Sequence, residues 1–230
     1  MASRPIFIPT INSIGVEERM IEFKWHAGMA TSQKKKSVVE LHKTANSCGI
    51  TNILEISSKS ELELGVALSA FNLIITTKKK VQRFTVETAF QGSKVFENGG
   101  PYLDLFGMDS RAAKKDIRLK ESGNLIGFKF FSYDFPLIPR TYFYDWLYIN
   151  ALRQNSELSN AILKYDAFSD IEFNPKKSIN CQAHAVSLYI SLFKQDLLER
   201  AMQTPSHFLK HCQSHYSKQE RNISIQGSIL

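Results

Sequence analysis

Cysteine is scarce in this chain: 230 residues hold three, Cys48, Cys181 and Cys212, an odd number set far apart. That spacing excludes a disulfide-stapled scaffold and fits a reducing compartment. Long apolar runs are lacking too. The strongest, such as Leu73-Ile74-Ile75, fall far short of the roughly 20 residues a membrane helix needs. The opening Met1-Ala2-Ser3-Arg4-Pro5 has no apolar signal segment, so the expected location is the cytoplasm. No HExxH, P-loop, GxGxxG or GxSxG pattern occurs, which removes the motif-borne zinc, phosphate-loop, dinucleotide and serine-hydrolase classes. His207, His211 and His215 recur every four residues beside Cys212, yet the segment offers no further ligand, so ordinary polar helix positions explain them better than zinc. His26 and His184 are isolated. Cys181 and His184 share one expected helix without the geometry of a nucleophile and its base. No metal site and no cofactor is expected.

What remains is an ordinary globular composition, 43% hydrophobic and 22% charged, with 16 Phe and 8 Tyr for packing. The length suits a single sizeable core. Formal net charge is +7, much of it in Lys34-Lys35-Lys36, Lys78-Lys79-Lys80, Lys114-Lys115 and Lys176-Lys177. Each cluster singly reads as a solvated turn. Together they point toward a phosphate-bearing partner, a nucleic acid or nucleotide, bound in a salt-dependent way.

Residues 1 to 24 read as irregular or extended, with prolines flanking Ile6-Phe7-Ile8. Thr31 or Ser32 is placed to cap a helix running to about Asn46, with Val38, Val39, Leu41 and His42 on its apolar face. Short strands are expected at Ile53 to Ile56 and Leu73 to Thr77, and a strand with a bend or bulge at Gly127 between Leu125 and Phe131. Helices are expected over Ser110 to Lys120, Thr141 to Gln154, Ser156 to Lys164 and, most clearly amphipathic, Asn180 to Gln203. Phe168 to Lys177 reads as a loop, and the end of the chain as a polar tail. The pattern is a helix-rich α+β domain with a small sheet and no internal repeat.

The stretch Val86 to Phe96, VETAFQGSKVF, follows Thr85, which is placed to cap a helix. Continued as a helix, it sets Glu87, Gln91 and Lys94 in one wedge at spacings of four and three, with Phe90 at its edge. Ala89 and Phe96 lie on the other side and can face the core. Spacing alone favours a solvated polar face. Phe90 and the position of Glu87 near the helix start favour a cleft. There a helix dipole promotes the carboxylate and burial promotes the acid. Trp25 and Trp146 offer aromatic surfaces, either as packing or as platforms for a base.

The order of these segments adds a further reading. Leu68-Ser69-Ala70-Phe71-Asn72, followed by Glu87-Thr88-Ala89-Phe90-Gln91-Gly92-Ser93-Lys94, resembles the NADAR (YbiA-like) family, with its Phe-Ser-Asn-Phe-type segment and Glu-x-x-Phe-Gln-x-x-Lys motif. Asp166-Ala167-Phe168-Ser169-Asp170 and the Lys176 to Asn180 segment are similar to its C-terminal loop. Trp25 to Lys34, Glu55 to Ser60 and Phe173 to Gln182 look like the branch that accompanies DarT-type DNA ADP-ribosyltransferase toxins. The resemblance implies a NADAR fold with an N-terminal extension over 1–64, a catalytic core over 65–203 and a polar tail over 204–230. It also implies an antitoxin that removes ADP-ribose from guanine bases in DNA. The alternatives are an N-glycosidase on a riboflavin-pathway or related nucleotide and a non-catalytic ADP-ribose or DNA binder. Under the first reading Glu87 and Lys94 are catalytic: Glu87 as acid or base, Lys94 as a pyrophosphate ligand or a Schiff-base nucleophile. Ser69, Phe71, Asn72, Phe90, Gln91, Trp146, Asp170 and Asn180 are the substrate contacts, and Lys176 and Lys177 meet the DNA backbone. The expected partners are ADP-ribosylated DNA, ADP-ribose as product, and a cognate DarT-type toxin.

Overall fold

Inward-facing Ile21 and Phe23 flank the exposed Glu22, and this alternation ends a hairpin strand in a stretch whose prolines suggested irregular chain. Strand β1 (Ala2–Pro9) pairs antiparallel with β2 (Val16–Phe23) along its whole length, from Ala2 opposite Phe23 to Pro9 opposite Val16. On its other side β1 meets the late strand only at Ile6 and Phe7, so Pro5 removes no bond from that ladder. The computed structural model describes residues 1–28, 30–77 and 82–219. The Lys78-Lys79-Lys80 cluster and the end of the expected tail lie outside them.

Helix α1 (Thr31–Ser47) starts after Ala30 with no side-chain cap, and it buries Ser37, Val38, Leu41 and Ala45 while Val39 faces out. Strand β3 (Ile53–Glu55) and the short α2 (Glu63–Ala67) follow, then β4 (Ile74–Thr76) antiparallel to β5 (Arg83–Thr85). Helix α3 (Val86–Gly92) is capped by Thr85, whose hydroxyl accepts from the Thr88 N–H while the Thr88 side chain returns to the Thr85 N–H. α3 stops at Gly92, and Lys94–Phe96 is strand β6. The expected continuous helix through Phe96 therefore breaks. A Cβ on Gly92 would sit 2.6 Å from the Phe106 ring and 2.9 Å from the Tyr102 carbonyl oxygen, so the close approach of the turn at Leu103–Gly107 fixes the break.

The charged segment after it divides into α4 (Ser110–Lys114), capped by Asp109, and α5 (Arg118–Glu121). Strands β6, β7 (Leu125–Phe130) and β8 (Tyr133–Phe135) form an antiparallel meander. Its register shifts beside Gly127, where Val95 faces Gly127 and Phe96 faces Leu125. Helix α6 (Tyr142–Arg153) is buried on nearly every face and forms the centre of the molecule. After α7 (Ser156–Ala161) comes β9 (Ala167–Ser169), which overlaps the start of the segment read as a loop; three residues are too few for a period to register. It is an inner strand of the sheet ordered β2-β1-β9-β3, antiparallel to β1 and parallel to β3, with Glu55 opposite Ser169.

The last expected long helix is two: α8 (Gln182–Lys194) and α9 (Leu198–Ala201), separated by Asp196 at φ 55°. The segment read as a polar tail contains α10 (Pro205–Ser217), capped by Thr204 and burying Phe208, Cys212, His215 and Tyr216. Its apolar face carries only these few residues among histidines and serines, hence its polar look. The Tyr216 hydroxyl donates to Asp145, which also meets the His184 ring, itself stacked on His215. The four-residue histidine repeat thus divides: His215 is interior, His207 gives its N–H to the Thr204 cap at the helix start and His211 lies on the outer side. The architecture is α+β: helices gather around α6 and α8, the sheet of β2, β1, β9 and β3 runs through the core between α8 and α1, and two smaller sheets complete the described residues.

Candidate active site

Because α3 begins under a cap and is tied to the Ala70 carbonyl by the Glu87 N–H (2.9 Å), its first turn is set against the Ser69–Asn72 turn. From the other side, the chain leaves β9 at Asp170 and returns to α8 through 174–181. Between these walls lies a cavity of about 240 Å³, lined by Ala70, Phe71, Glu87, Phe90, Gln91, Lys114, Tyr144, Asp170 and residues of the 172–182 segment. That is below the ~300–1,000 Å³ of pockets that enclose a whole drug-sized ligand, so a nucleotide would enter in part and extend across the rim.

Glu87 is 5% exposed, and its Oε1 receives Gln91 Nε2 at 2.9 Å and Lys114 Nζ at 3.7 Å. Lys114 also lies 5.1 Å over the Phe71 ring. Lys94 arrives from β6 instead of from the helix, with its ammonium 5.2 Å over the Phe90 ring. Burial pushes the Lys94 amine below its ordinary range, the nearby Glu87 carboxylate opposes that shift, and Lys114 adds to it. Asp170, at the end of β9, is held well above the ordinary carboxylate range by burial first and by the neighbouring Glu55 carboxylate second. Glu55, also raised chiefly by burial, accepts from the Ser57 hydroxyl (2.6 Å), the Ile171 N–H (2.9 Å) and the Ser169 hydroxyl. These bonds grip the residues on either side of Asp170. Two buried acceptors in the cavity wall, Gln91 Oε1 and Asn180 Oδ1, have no hydrogen-bond partner among the described residues. Such groups are costly unless something donates to them.

Glu87, Phe71, Phe90, Gln91, Asp170 and Asn180 thus come together, with Lys94 against Phe90. Ser69 and Asn72 do not line the cavity: the Ser69 hydroxyl accepts from the Phe71 N–H (3.3 Å) and Asn72 donates to the Val66 carbonyl (2.8 Å), so both build the turn beneath it. Trp146 is 7% exposed and packs between Phe130, Tyr133 and Phe135, away from the lining, which leaves no free face for a base. Lys176 and Lys177 are exposed on the turn that Asn174 organises, just before Ser178 at the rim. Sequence reasoning missed Tyr144, Glu172, Phe173 and Gln182 as lining residues. It saw Lys114 only as part of a charge cluster. Of these, Phe173 and Gln182 had a signal, as the two ends of the Phe173 to Gln182 segment; Gln182 locks the walls by accepting from the Ala70 N–H (2.8 Å) and donating to the Ile56 carbonyl (2.6 Å).

A larger groove, about 890 Å³, runs between α1 and β3 past His42 and Glu55. Its polar groups answer one another: His42 Nε2 meets the Ser169 hydroxyl at 2.8 Å, which in turn donates to Glu55. Burial lowers the His42 pKa to about 4, so the ring is neutral near pH 7. The smaller cavity, with unanswered acceptors and a shifted amine and acid, is the better candidate. Among the described residues no group of three or more His, Cys, Asp or Glu is arranged to hold a metal ion.

The α+β fold thus brings a carboxylate and an elevated acid into the wall of a polar cavity, with a desolvated lysine beside them. Comparison with family models is specific: the model described as DarT1-associated NADAR antitoxin matches residues 2–222, and the chain belongs to that family. Curated proteins yield no match. No helix among the described residues is long and apolar enough to cross a membrane.

Proposed function

We propose that the protein is an ADP-ribosyl glycohydrolase that removes ADP-ribose from guanine bases in DNA and so acts as antitoxin to a DarT-type toxin. The observation that carries the reading is Glu87 in a cavity whose walls present unanswered acceptors, within electrostatic reach of the desolvated Lys94 over Phe90, in a chain of the DarT1-associated antitoxin family. The bond to be cut joins the anomeric carbon of ribose to the exocyclic amine of guanine. Its cleavage needs a proton for the departing amine, stabilisation of an oxocarbenium-like centre, and a nucleophile.

Glu87 supplies the acid–base function, oriented through Oε1 by Gln91 and Lys114. The lowered pKa of Lys94 enlarges the fraction of neutral amine, the form that can attack the anomeric carbon. The guanine amine then leaves protonated, giving a ribosylamine on Lys94; the bond from the anomeric carbon to the ring oxygen breaks, a proton from the lysine nitrogen passes to that oxygen, and water addition to the resulting lysine imine releases ADP-ribose and restores Lys94. Asp170, Asn180 and Gln91 face ribose hydroxyls: the acceptors Gln91 Oε1 and Asn180 Oδ1 match hydroxyl donors, and a protonated Asp170 can donate in turn. Lys176 and Lys177 lie where a DNA backbone would cross the rim.

The test is release of ADP-ribose from DNA carrying ADP-ribosylated guanine, with and without borohydride. Covalent ADP-ribosyl protein trapped at Lys94 is expected during turnover. Release with no trapped adduct would remove the nucleophile role and leave Lys94 as a phosphate ligand. The small cavity volume favours a second reading, hydrolysis of a compact phosphorylated nucleotide intermediate; turnover of such a molecule with none of modified DNA would select it.

A further inference from the structure

A cluster outside the cavity lining adjoins it through the 170–172 segment. Arg4 on β1 and Lys34 on α1 come from elements far apart in sequence and converge on one aromatic ring: the Arg4 guanidinium carbon lies 5.3 Å and the Lys34 ammonium 4.6 Å from the Trp25 ring centre. Phe23 supports that ring at 6.1 Å. Both cations are tied to the cavity wall. Arg4 Nε donates to the Ile171 carbonyl (3.4 Å), and Lys34 stands 3.6 Å from Glu172, a lining residue whose N–H donates to Asp170. Asp170 and Glu172 act on the Arg4 charge, which places the guanidinium within electrostatic reach of both carboxylates.

These carboxylates do not use up the cations. A separation of 3.6 Å is longer than a direct ammonium–carboxylate hydrogen bond, so Lys34 keeps donors to give. Arg4 spends Nε and Nη1 on backbone carbonyls, and Nη2 is unengaged among the described residues. A guanidinium and an ammonium steadied on an indole, beside a cavity too small for a whole nucleotide, match one ligand chemistry: a phosphate group. We infer that Arg4 and Lys34, positioned by Trp25, form a phosphate subsite on the rim of the cavity. It takes either the pyrophosphate of the ADP-ribosyl group or a phosphodiester of the adjoining DNA strand. This rests on the nucleotide reading of the cavity but adds a site on separate elements.

The test measures binding of two probes, free ADP-ribose and an unmodified single-stranded oligodeoxynucleotide, to the wild type and to Lys34→Gln and Arg4→Gln. Unfolding curves check that each variant stays folded. Lys34→Gln lies on the partly exposed face of α1 and spares the fold even if Arg4→Gln does not. If the subsite serves the strand, Lys34→Gln weakens oligonucleotide binding, makes its salt slope shallower by about 0.7, and leaves ADP-ribose binding unchanged. If it serves the pyrophosphate, ADP-ribose binding falls instead. Trp25→Ala is expected to reproduce the loss and Trp25→Phe to rescue it, as a cation platform requires. Unchanged affinity for both probes in a folded Lys34→Gln protein, or binding of neither probe by the wild type, overturns the subsite. Release of ADP-ribose by the wild type is scored separately, so failure of the subsite and failure of the glycohydrolase reading remain distinct.

Discussion

Glu87 and Lys94 divide the proposed chemistry, and their surroundings set how each is tested. Glu87→Gln retains the bond geometry to Gln91 but removes the proton-carrying group, and release of ADP-ribose is expected to fall by at least about 100-fold with thermal stability near that of wild type. Lys94→Met removes a charge that burial already disfavours. It should abolish release and adduct trapping while leaving the fold as stable or more so. Asp170 carries a pH prediction. Its folded pKa lies above its unfolded value, so its ionisation opposes folding: the cost is absent below pH ~4 and grows as pH rises toward the folded pKa. Asp170→Asn is therefore expected to raise the melting temperature at neutral pH, with the gain vanishing near pH 4. A gain independent of pH would contradict the assigned cause. The meeting of Glu87 and Gln91 was legible in sequence because i and i+4 share a helix face. Lys94 was legible only by proximity along the chain, since its path through Gly92 depends on Phe106 and Tyr102, which no local pattern reveals. Tyr144 was hidden because it sits in a helix buried on nearly every face, and Trp146, in the same helix, turns into the core.

At the scale of elements, α3 is the part on which the site depends. Gly92→Ala would drive a Cβ into the Phe106 ring and the Tyr102 carbonyl, and a destabilisation of about 1–3 kcal/mol in denaturant unfolding is expected. Loss of the Thr85 cap in Thr85→Ala should cost about 1 kcal/mol and, because the cap fixes the turn that carries Glu87, lower turnover as well. An unchanged turnover number would show that α3 holds its position without the cap. Strands of three residues, such as β3 and β9, were the least readable elements from sequence. β3 was recognisable from its isoleucines, whereas β9 gained its strand character from partners more than 100 residues away.

Over the whole molecule, the first strand supports the wall of the site and the last helix closes the core behind it. Strand β1 pairs with β9 immediately before Asp170, and α10 closes the core through Phe208, Cys212 and Tyr216. A protein ended after residue 203 is expected to lose cooperative unfolding and to expose apolar surface to dye binding, whereas a disposable tail would leave both unchanged. The net charge of +7 makes the proposed association with DNA a salt-sensitive one, and the α+β class was plain from the mixture of helix-period and short apolar segments. The central claim concerns one bond. Mass analysis of a DNA strand bearing a single ADP-ribosylated guanine, incubated with catalytic amounts of the protein, tests it most directly. The account predicts a strand returned to its unmodified mass and an equivalent of free ADP-ribose over many turnovers, while the Glu87→Gln protein leaves the strand modified over the same time. A strand that keeps its modification in the presence of folded wild-type protein would contradict it.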